Sequence, residues 1–484
     1  MIRRLLAATL VLALGGCGGG PGKDEPIGVS VIGGTLAIAD PDLGPVNSSD
    51  RVLMDATAQG LVRFDAAGQI EPGLAERWTV TDDGRSYIFR LRDAQWADGQ
   101  PVTAAEVVRQ LRRATAPGSH NPLAPFLVVI DEIVEMTPQV IEVRLSRPRP
   151  DLLKLFAQPE LAVFRGKQGT GPFTAKAEAR GGLLLSPADG PVLVDGEAEK
   201  VPLPGSQIRL RSERAALAIS RFKGGGVEAV IGGTFADWPV LRAAQVPDDV
   251  VKVDPALGLF GFAIVSRQGF LADAGNRAAV AMAIDRAAVT QAFRPEWQPV
   301  ETILPAQLDS AAPPAPPAWG PLTFEARRET ARLRVREWQR ANPGLVVIRI
   351  AVPQGPGGTL VWSAVARSLL AVGISVRRVA LDADADLRLI DIVAPYDSGR
   401  WFLVTACVAC SDDTRLLIDA ARDAPDLYAR THRIAEADAA LTADSAYIPI
   451  AQPFRWAIVT PRLNGWQGNS RAWHPLNHLR GGID

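Results

Sequence analysis

Residues 71–107 constrain the fold more than any other segment, because their local chemistry predicts a strand, a turn and a helix in succession. Every second residue from Tyr87 to Leu91 is large and apolar, and this period of two is typical of a strand with one more buried face. The Asp-Asp-Gly sequence at 82–84 is a turn signal before that strand. Thr103 and Glu106 have the spacing of a capping box ahead of an amphipathic segment. The segment therefore predicts a strand–turn–helix unit with marked ends.

The amino terminus has the pattern of an export signal with a lipid-attachment site. Two early arginines precede an apolar stretch at 5–14, which is too short to span a bilayer. Leu-Gly-Gly ahead of Cys17 is typical of a lipoprotein cleavage site, and acyl chains on that cysteine would give lasting membrane attachment. We therefore expect a signal peptide at 1–16 and a glycine-rich flexible tether at 17–25. The alternative is an ordinary secretory signal in which Cys17 is incidental.

The composition favours a large body outside the lipid and argues against nucleic-acid binding. Hydrophobic residues make up 47% of the chain, yet after the amino terminus no apolar run reaches spanning length. The 52 basic residues are balanced by 53 acidic ones. Nucleic acid usually requires a clustered basic face, so this balance excludes it as the expected partner.

Signatures of catalysis, cofactors and metals are missing from the sequence. It contains no nucleophile elbow, phosphate-binding loop, metalloprotease helix or dinucleotide fingerprint. The glycine runs at Gly18 and Gly224 lack the strand and helix context of a phosphate loop. His474 and His478 form the one close histidine pair, and a surface tail is a better interpretation than a metal site. We expect no enzyme activity, no cofactor and no metal.

Besides Cys17, the only cysteines are Cys407 and Cys410, in a C-x-x-C spacing. In an exported protein that spacing predicts a short-range disulfide first. Free thiols and a redox or metal role stay open as alternatives. A four-cysteine zinc site is excluded because a second pair does not exist.

Several motifs resemble one family, the solute-binding proteins of the oligopeptide, dipeptide and nickel class of ATP-driven importers (bacterial extracellular solute-binding proteins, family 5). Residues 71–107 follow its pattern P-x-L-A-x-x-W, then D-G-x-x-(Y/W)-x-F-x-L-R, then W-x-D-G-x-P-(V/L)-T-A-x-D-V, with Glu106 in place of the usual Asp. The segment 169–173 (GTGPF), the helix-like 277–286 (RAAVAMAIDR) and residues 437–454 match further motifs in the family's order. The resemblance covers almost all of the predicted mature chain.

The resemblance implies a periplasmic-binding-protein-like α/β fold, with two α/β lobes, a hinge and an extra subdomain in the first lobe. It assigns residues 26–257 to lobe I with its subdomain, 258–454 to lobe II and 455–484 to a return segment of lobe I. Residues 251–265 and 448–459 resemble the two strands that cross between the lobes. The proline-rich residues 305–321 are expected to form an exposed loop within lobe II.

The resemblance also implies a function, capture of a solute by closure of the two lobes. The protein would be a monomeric, lipid-anchored receptor in the periplasm or cell envelope that delivers a peptide-like or other small solute to an ABC permease and ATPase. The competing hypothesis is a non-transport envelope lipoprotein that uses the same fold as a binding or chaperone-like module.

Ligand contacts are predicted in the loop at 394–403. Peptide-binding members have A-D-Y-x-x-P-x-x-F-L there, and the Asp pairs with the ligand's amino group, whereas this chain has Pro395 at that position. Asp397 could substitute, or the natural ligand carries no ammonium group. Trp401 could instead belong to the core, and Arg400 could be a solvated loop charge. The predicted ligand-binding residues are Tyr396, Asp397, Arg400 and Trp401.

Overall fold

The computed structural model describes residues 25–179, 181–188, 192–194, 197–199 and 206–480. The predicted signal peptide at 1–16, Cys17 and residues 18–24 of the predicted tether lie outside the described residues. Within the described ranges, no helix has the length and apolar character needed to cross a membrane.

A seven-stranded mixed sheet forms the centre of the first structural unit. The strand Ile27–Ile32 is buried along its whole length and pairs in parallel with a neighbour on each side, as expected for a strand covered on both faces. In spatial order the strands are Phe173–Ala177, Leu183–Pro187, Ile208–Glu213, Ile27–Ile32, Ala229–Thr234, Arg455–Val459 and Val251–Val253. The helices of this unit include Ser48–Thr57, Ala215–Lys223 and Trp238–Ala243.

A four-stranded antiparallel sheet carries the predicted strand–turn–helix unit. Its strands are, in spatial order, Ala75–Thr81, Ser86–Leu91, Val140–Leu145 and Ile130–Thr137, and the helix Ala104–Thr115 packs against them. The strand prediction is confirmed, since Tyr87, Phe89 and Leu91 are all buried. The capping box is also confirmed, because Thr103 accepts from the Glu106 N–H while the Glu106 carboxylate accepts from the Thr103 N–H.

The third large sheet has five strands, is surrounded by helices and forms the centre of the second structural unit. Its spatial order is Ile374–Val379, Val346–Ala351, Leu387–Val393, Gly258–Ile264 and Tyr447–Ala451. The accompanying helices are Ala274–Ala283, Arg286–Gln291, Phe324–Ala341, Pro356–Leu370, Gly399–Ala406, Asp412–Asp423 and Leu427–Asp444. Smaller elements are the helices Ala124–Leu127 and Leu152–Phe156 and the strand pairs Val62–Phe64 with Ile70–Pro72, Phe164–Arg165 with Gln168–Gly169, and Val192–Val194 with Glu197–Glu199.

The chain passes between the seven-stranded and five-stranded sheets at residues 254–257 and 452–454. Each predicted crossing strand is in fact two strands, Val251–Val253 with Gly258–Ile264 and Tyr447–Ala451 with Arg455–Val459. Pro255 and Pro453 lie in the two gaps, and a proline has no N–H to donate to a strand ladder. The predicted lobe boundaries at 257/258 and 454/455 fall in or directly after these gaps, and movement of the lobes about them stays a prediction.

The segment 277–286, which resembles a single helix in the sequence, is divided between two. The first helix ends at Ala283, and Asp285 caps the second by accepting from the Ala288 N–H at 2.9 Å. The Arg286 guanidinium donates to Pro449 O at 2.8 Å and Ala281 O at 3.0 Å, and burial lowers its pKa to about 10. The arginine that ends the motif therefore joins this helix to the strand Tyr447–Ala451.

The proline-rich residues 305–321 contain no helix or strand, as predicted, but the segment is partly buried rather than exposed throughout. Its Ala315 N–H donates to Asp438 Oδ2 at 2.8 Å. Asp438 is almost fully buried, Oδ1 has no hydrogen-bond partner, and burial raises the pKa of this carboxyl to about 6.

Replacing Asp438 with asparagine is expected to stabilise the protein at pH 7.5 by about 1–2 kcal/mol. The folded-state pKa lies above the unfolded one, so the cost of ionising this buried group is present above about pH 6 and disappears as the pH falls toward 4. Urea denaturation at both pH values measures the difference, with Asp131→Asn on an exposed strand position as the control. An equal gain at pH 4 would contradict the explanation.

Candidate ligand-binding site

A cavity of about 300 Å³ lies between the two structural units. On one side it is lined by the helix Ser48–Thr57, the strand Val62–Phe64 and residues 122–126 and 158–160. Its residues on that side include Arg51, Phe64, Phe126, Gln158 and Glu160. The volume is at the lower end of the range for ligand pockets, about 300–1,000 Å³, which favours a small solute over a long chain.

The opposite wall continues directly from the strand Leu387–Val393. Ile392 and Val393 end this strand and Ala394 and Pro395 follow it. The helix Gly399–Ala406 begins four residues later, which places Trp401 and Thr405 on the cavity. The start of this helix is fixed by Asp309, which accepts from the Gly399 N–H at 2.6 Å and pairs with Arg430 at 3.2 Å.

A third part of the lining, Arg471 and Trp473, comes from the carboxy-terminal segment. Asp254, in the first crossing, accepts from the Asn469 N–H at 3.2 Å and lies 3.1 Å from His474 Nε2. The crossing therefore holds the turn that presents Arg471 to the cavity.

Direct contacts join the two main walls. Gln158 Nε2 donates to Pro395 O at 2.6 Å, and the rings of Phe126 and Tyr396 meet edge to face at 5.5 Å. Lys154 forms an ion pair with Asp397. The structure is thus a form in which the walls touch around the cavity.

Of the four predicted ligand-binding residues, only Trp401 lines this cavity. It is 4% exposed and also packs edge to face on Phe402 at 5.0 Å, so it contributes to the core as well. Tyr396 and Arg400 line an adjacent void of about 20 Å³, which has room for about one water molecule. Arg400 is 7% exposed, so it is not a solvated loop charge.

Asp397 is engaged by two cations from distant parts of the chain. Lys154 donates to Oδ2 and Arg471 donates to Oδ1, while Arg471 also donates to Ala394 O at 3.2 Å. Burial alone would raise the pKa of Asp397, but the hydrogen bond from Lys154 and the charge of Arg471 outweigh it and hold the pKa below its usual value. Both carboxylate oxygens are therefore occupied in this form.

Sequence reasoning missed a polar group on the first wall. Arg51 Nε lies 2.8 Å from Glu160 Oε1, and Arg51 Nη2 donates to Gln158 Oε1 at 3.0 Å. The same guanidinium lies over the Trp473 ring, 4.9 Å from its centroid. Arg51 is more than a hundred positions from Gln158 and Glu160, and Trp473 is further still along the chain, so no local signal could have grouped them.

The carboxy-terminal histidines are not a surface tail, which corrects the sequence-based interpretation. The His474 side chain is 8% exposed and stacks on Trp466 with ring centroids 3.5 Å apart. His478 Nε2 lies 2.9 Å from Glu71 Oε1. Among the described residues, no group of three or more potential ligands could hold a metal ion.

Cys407 and Cys410 follow the helix Gly399–Ala406 and are both buried. Their Cα atoms are 5.0 Å apart, a separation compatible with a disulfide, and the sulfur atoms are joined in the structure. The oxidation state in the cell stays a prediction.

Two α/β units, two crossings and a partly open cavity between the units are the arrangement of two-lobed solute-binding proteins. The chain belongs to the bacterial extracellular solute-binding proteins, family 5, whose profile matches residues 69–401. The members of this family are binding receptors rather than enzymes. The α/β, periplasmic-binding-protein-like fold predicted from the sequence is confirmed.

Some known proteins are similar to this chain over nearly its whole length, and others over only a part of it. The periplasmic oligopeptide-binding protein OppA of Salmonella typhimurium is 23% identical, over 99% of this chain and 97% of its own. The probable deoxycholate-binding periplasmic protein YgiS of Escherichia coli is 34% identical, but over only 26% of each chain. The structure of the Escherichia coli murein tripeptide binding protein MppA superposes with a TM-score of 0.78 at 19% identity, covering 94% of this chain and 98% of that one.

Proposed function

We propose that this protein is an extracytoplasmic receptor that captures a small solute in the cavity between its two units and delivers it to an ABC permease and ATPase. The observation that carries the proposal is the cavity of about 300 Å³, which is lined from both units and lies beside direct contacts between them. A ligand that touches both walls stabilises the form in which they meet, and that form is the one a permease can recognise. We take residues 26–257 with 455–484, and 258–454, as the two moving lobes.

The names of the relatives support a peptide-like or other small solute as the ligand. OppA is described as an oligopeptide-binding protein and MppA as a murein tripeptide binding protein. YgiS is described as a probable deoxycholate-binding protein. The last of these names a carboxylate without an ammonium group. Pro395 has no carboxylate, and the carboxylate of Asp397 is paired with Lys154 and Arg471. Both facts agree with a solute other than an ordinary free peptide.

We also propose that Cys17 carries lipid and anchors the mature protein to a membrane of the cell envelope. The support is the basic, apolar and small-residue succession that ends at this cysteine. Mass spectrometry of the mature amino terminus tests it, with Cys17→Ser as the comparison. A diacylglycerol-modified cysteine is the expected result, and an unmodified mature amino terminus would contradict the anchor.

A second candidate is a non-transport envelope module that uses the same fold. It is favoured by the engagement of Asp397 with Lys154 and Arg471, which leaves the 394–403 loop without an available acid. Such a module would bind a protein or envelope component instead of passing a solute to a permease.

A thermal-shift screen of the full-length protein separates the two. The panel contains peptides, amino-acid derivatives, sugars, opines, metal chelates and deoxycholate. A solute at about a hundred times its dissociation constant adds about 2.7 kcal/mol to the free energy of unfolding. A clear rise in melting temperature with one compound class supports the receptor, and no rise with any compound favours the non-transport module.

A further inference from the structure

We infer that the void of about 20 Å³ beside the cavity binds one monatomic anion of the size of chloride, held between the two units by arginine side chains. The site is separate from the solute cavity and does not depend on the proposed function. Three features of the described residues carry the inference: buried guanidinium groups without an anionic partner, an excess of positive charge, and a volume that accepts a single small ion.

The first guanidinium belongs to Arg400, which lines the void and is only 7% exposed. Its Nε is buried without a hydrogen-bond partner, and the side chain forms no ion pair with any carboxylate in the described part of the chain. Burial is the main reason that its pKa is lowered, and the charges of Arg430 and Arg422 lower it further. A buried charge without a counter-ion is strongly disfavoured, so this side chain favours an anion next to it.

A second guanidinium reaches the same void from the other unit. Arg149 donates to Pro148 O at 3.0 Å and to Arg422 O at 2.9 Å, but among the residues that the structure describes it has no carboxylate partner. Its pKa is lowered to about 10, mainly by burial and then by the charges of Arg430 and Arg400. Like charges are thus held around one small space, and an anion shared by their N–H groups relieves both.

The charge around the void stays positive when every ion pair is followed outward. The charged lining residues are four arginines and one carboxylate, namely Arg149, Arg400, Arg422, Arg430 and Asp151. Their ion pairs, and the pairs of those partners, add three cations, Arg147, Lys154 and Arg471, and four carboxylates, Asp309, Asp397, Asp419 and Asp423.

Seven positive charges therefore face five negative ones, even with Asp151 counted as ionised. The Tyr396 phenol adds no negative charge at neutral pH, because burial raises its pKa. An excess of two positive charges remains, and it favours an anion over a cation or a neutral molecule.

The size of the void selects the kind of anion. Its volume has room for about one water molecule, and a chloride ion is only slightly larger. Sulfate and phosphate have four oxygens around a central atom and are too large for it. Val129, Leu152 and Leu155 complete the lining with apolar side chains. A monatomic anion fits such a site because it needs donors but no defined acceptor geometry, and the guanidinium N–H groups supply donors.

An anion at this position would also join the two units. Arg149 and Leu152 come from one side, and Tyr396 and Arg400 come from the loop and helix of the other. The site is complete only where the walls touch, so an anion that binds it stabilises that form.

The melting temperature of the full-length protein without solute is the first test. Sodium chloride replaces sodium gluconate stepwise up to about 0.15 M, so that the ionic strength and its screening stay constant. Gluconate is too large to enter the void. We expect the melting temperature to rise by at least about 2 °C along a saturating curve. The same melting temperature in both salts would overturn the inference.

Two arginine variants separate the site from a general effect of chloride. Arg400→Met removes the unpaired charge and should reduce the rise to less than about a third of the wild-type value. In gluconate this variant should melt no lower than the wild type, since the buried charge that it removes has no partner. Arg415→Met, on the exposed side of the helix Asp412–Asp423, should keep the full rise. An equal rise in Arg400→Met and the wild type would overturn the assignment.

Anomalous diffraction locates the ion directly and does not depend on the folding of a variant. Crystals of the wild-type protein grown in sodium bromide should show an anomalous peak between Arg149 and Arg400, next to Tyr396. A map without a peak at this position would overturn the inference.

Coupling of the anion to solute capture rests on the proposed function and is measured separately. A solute found in the thermal-shift screen should bind at least about threefold tighter in chloride than in gluconate, because the anion stabilises the form in which the walls meet. Equal affinity in the two salts would overturn the coupling. If no solute binds while chloride still raises the melting temperature of the wild type and not of Arg400→Met, the proposed function is wrong and the anion site stands.

Discussion

Replacing Thr405 with tryptophan is expected to weaken binding of any solute identified in the screen by at least about a hundredfold, equivalent to about 2.7 kcal/mol. Thr405 lines the cavity, is partly exposed and lies near the end of the helix Gly399–Ala406, so an indole at this position would project into space that the solute needs. Calorimetric titration measures the affinity, and the melting temperature without ligand shows whether the fold is kept.

Val408→Trp is the matched control for this change. Val408 is three residues further along, 47% exposed and not part of the cavity lining, so the same side chain there should leave the affinity within about twofold of the wild type. Wild-type affinity in Thr405→Trp would place the binding site elsewhere.

Replacing Arg277 with methionine is expected to lower the free energy of unfolding by about 3–5 kcal/mol, because it leaves buried groups without a partner. The guanidinium is 1% exposed and donates to Asp444 Oδ1 at 2.5 Å and to the carbonyls of Asp444, Leu271 and Ala272 at 2.9 Å. Burial is the main reason that its pKa is lowered, and the charge of Asp444 opposes the shift.

Urea denaturation measures this loss, with Arg415→Met on the exposed side of the helix Asp412–Asp423 as the control. The control should change the free energy of unfolding by no more than about 0.5 kcal/mol. A loss below about 1 kcal/mol in Arg277→Met would mean that Arg267 alone satisfies Asp444 and that the buried network is less important than the geometry indicates.

Local chemistry was enough to predict the unit at 71–107. The capping box and the alternation from Tyr87 to Leu91 depend on residues close together in sequence, so propensity and tertiary structure agree there. The two-unit fold, by contrast, followed from the resemblance and not from periodicity. Pairing between strands such as Ile27–Ile32 and Ile208–Glu213 cannot be recognised from the local sequence, because the two strands are far apart in the chain.

The candidate site was only partly predictable, because its character depends on distant residues. Asp397 could be an anchor on sequence grounds, but Lys154 lies 243 positions away from it and Arg471 74 positions away. The Arg51–Glu160 pair and the Trp473 ring next to it were missed for the same reason, because they also come from distant parts of the chain. Trp401 was found because the loop register was clear, while its neighbours Tyr396 and Arg400 point to a separate, smaller void.

The helix break at residue 284 shows a further limit of sequence patterns. Residues 277–286 resemble one continuous helix of the family, yet the Asp285 side chain caps a new helix at Arg286. Asp is favoured at an N-cap position over a helix interior. The hydrogen bonds from the Arg286 guanidinium to Pro449 O and Ala281 O further stabilise the break.

The most direct test of solute capture is the distance between spin labels at Val128 and Leu416, measured by pulsed electron resonance. Both side chains are exposed, at 61% and 66%. Val128 lines the small void beside the cavity, and Leu416 lies on the helix Asp412–Asp423, whose Arg422 lines the same void. With the solute that gives the largest thermal shift, the distance distribution should move to one short, narrow population, and without it a longer population should dominate. An identical distribution in both states, with binding verified by titration, would contradict capture by closure.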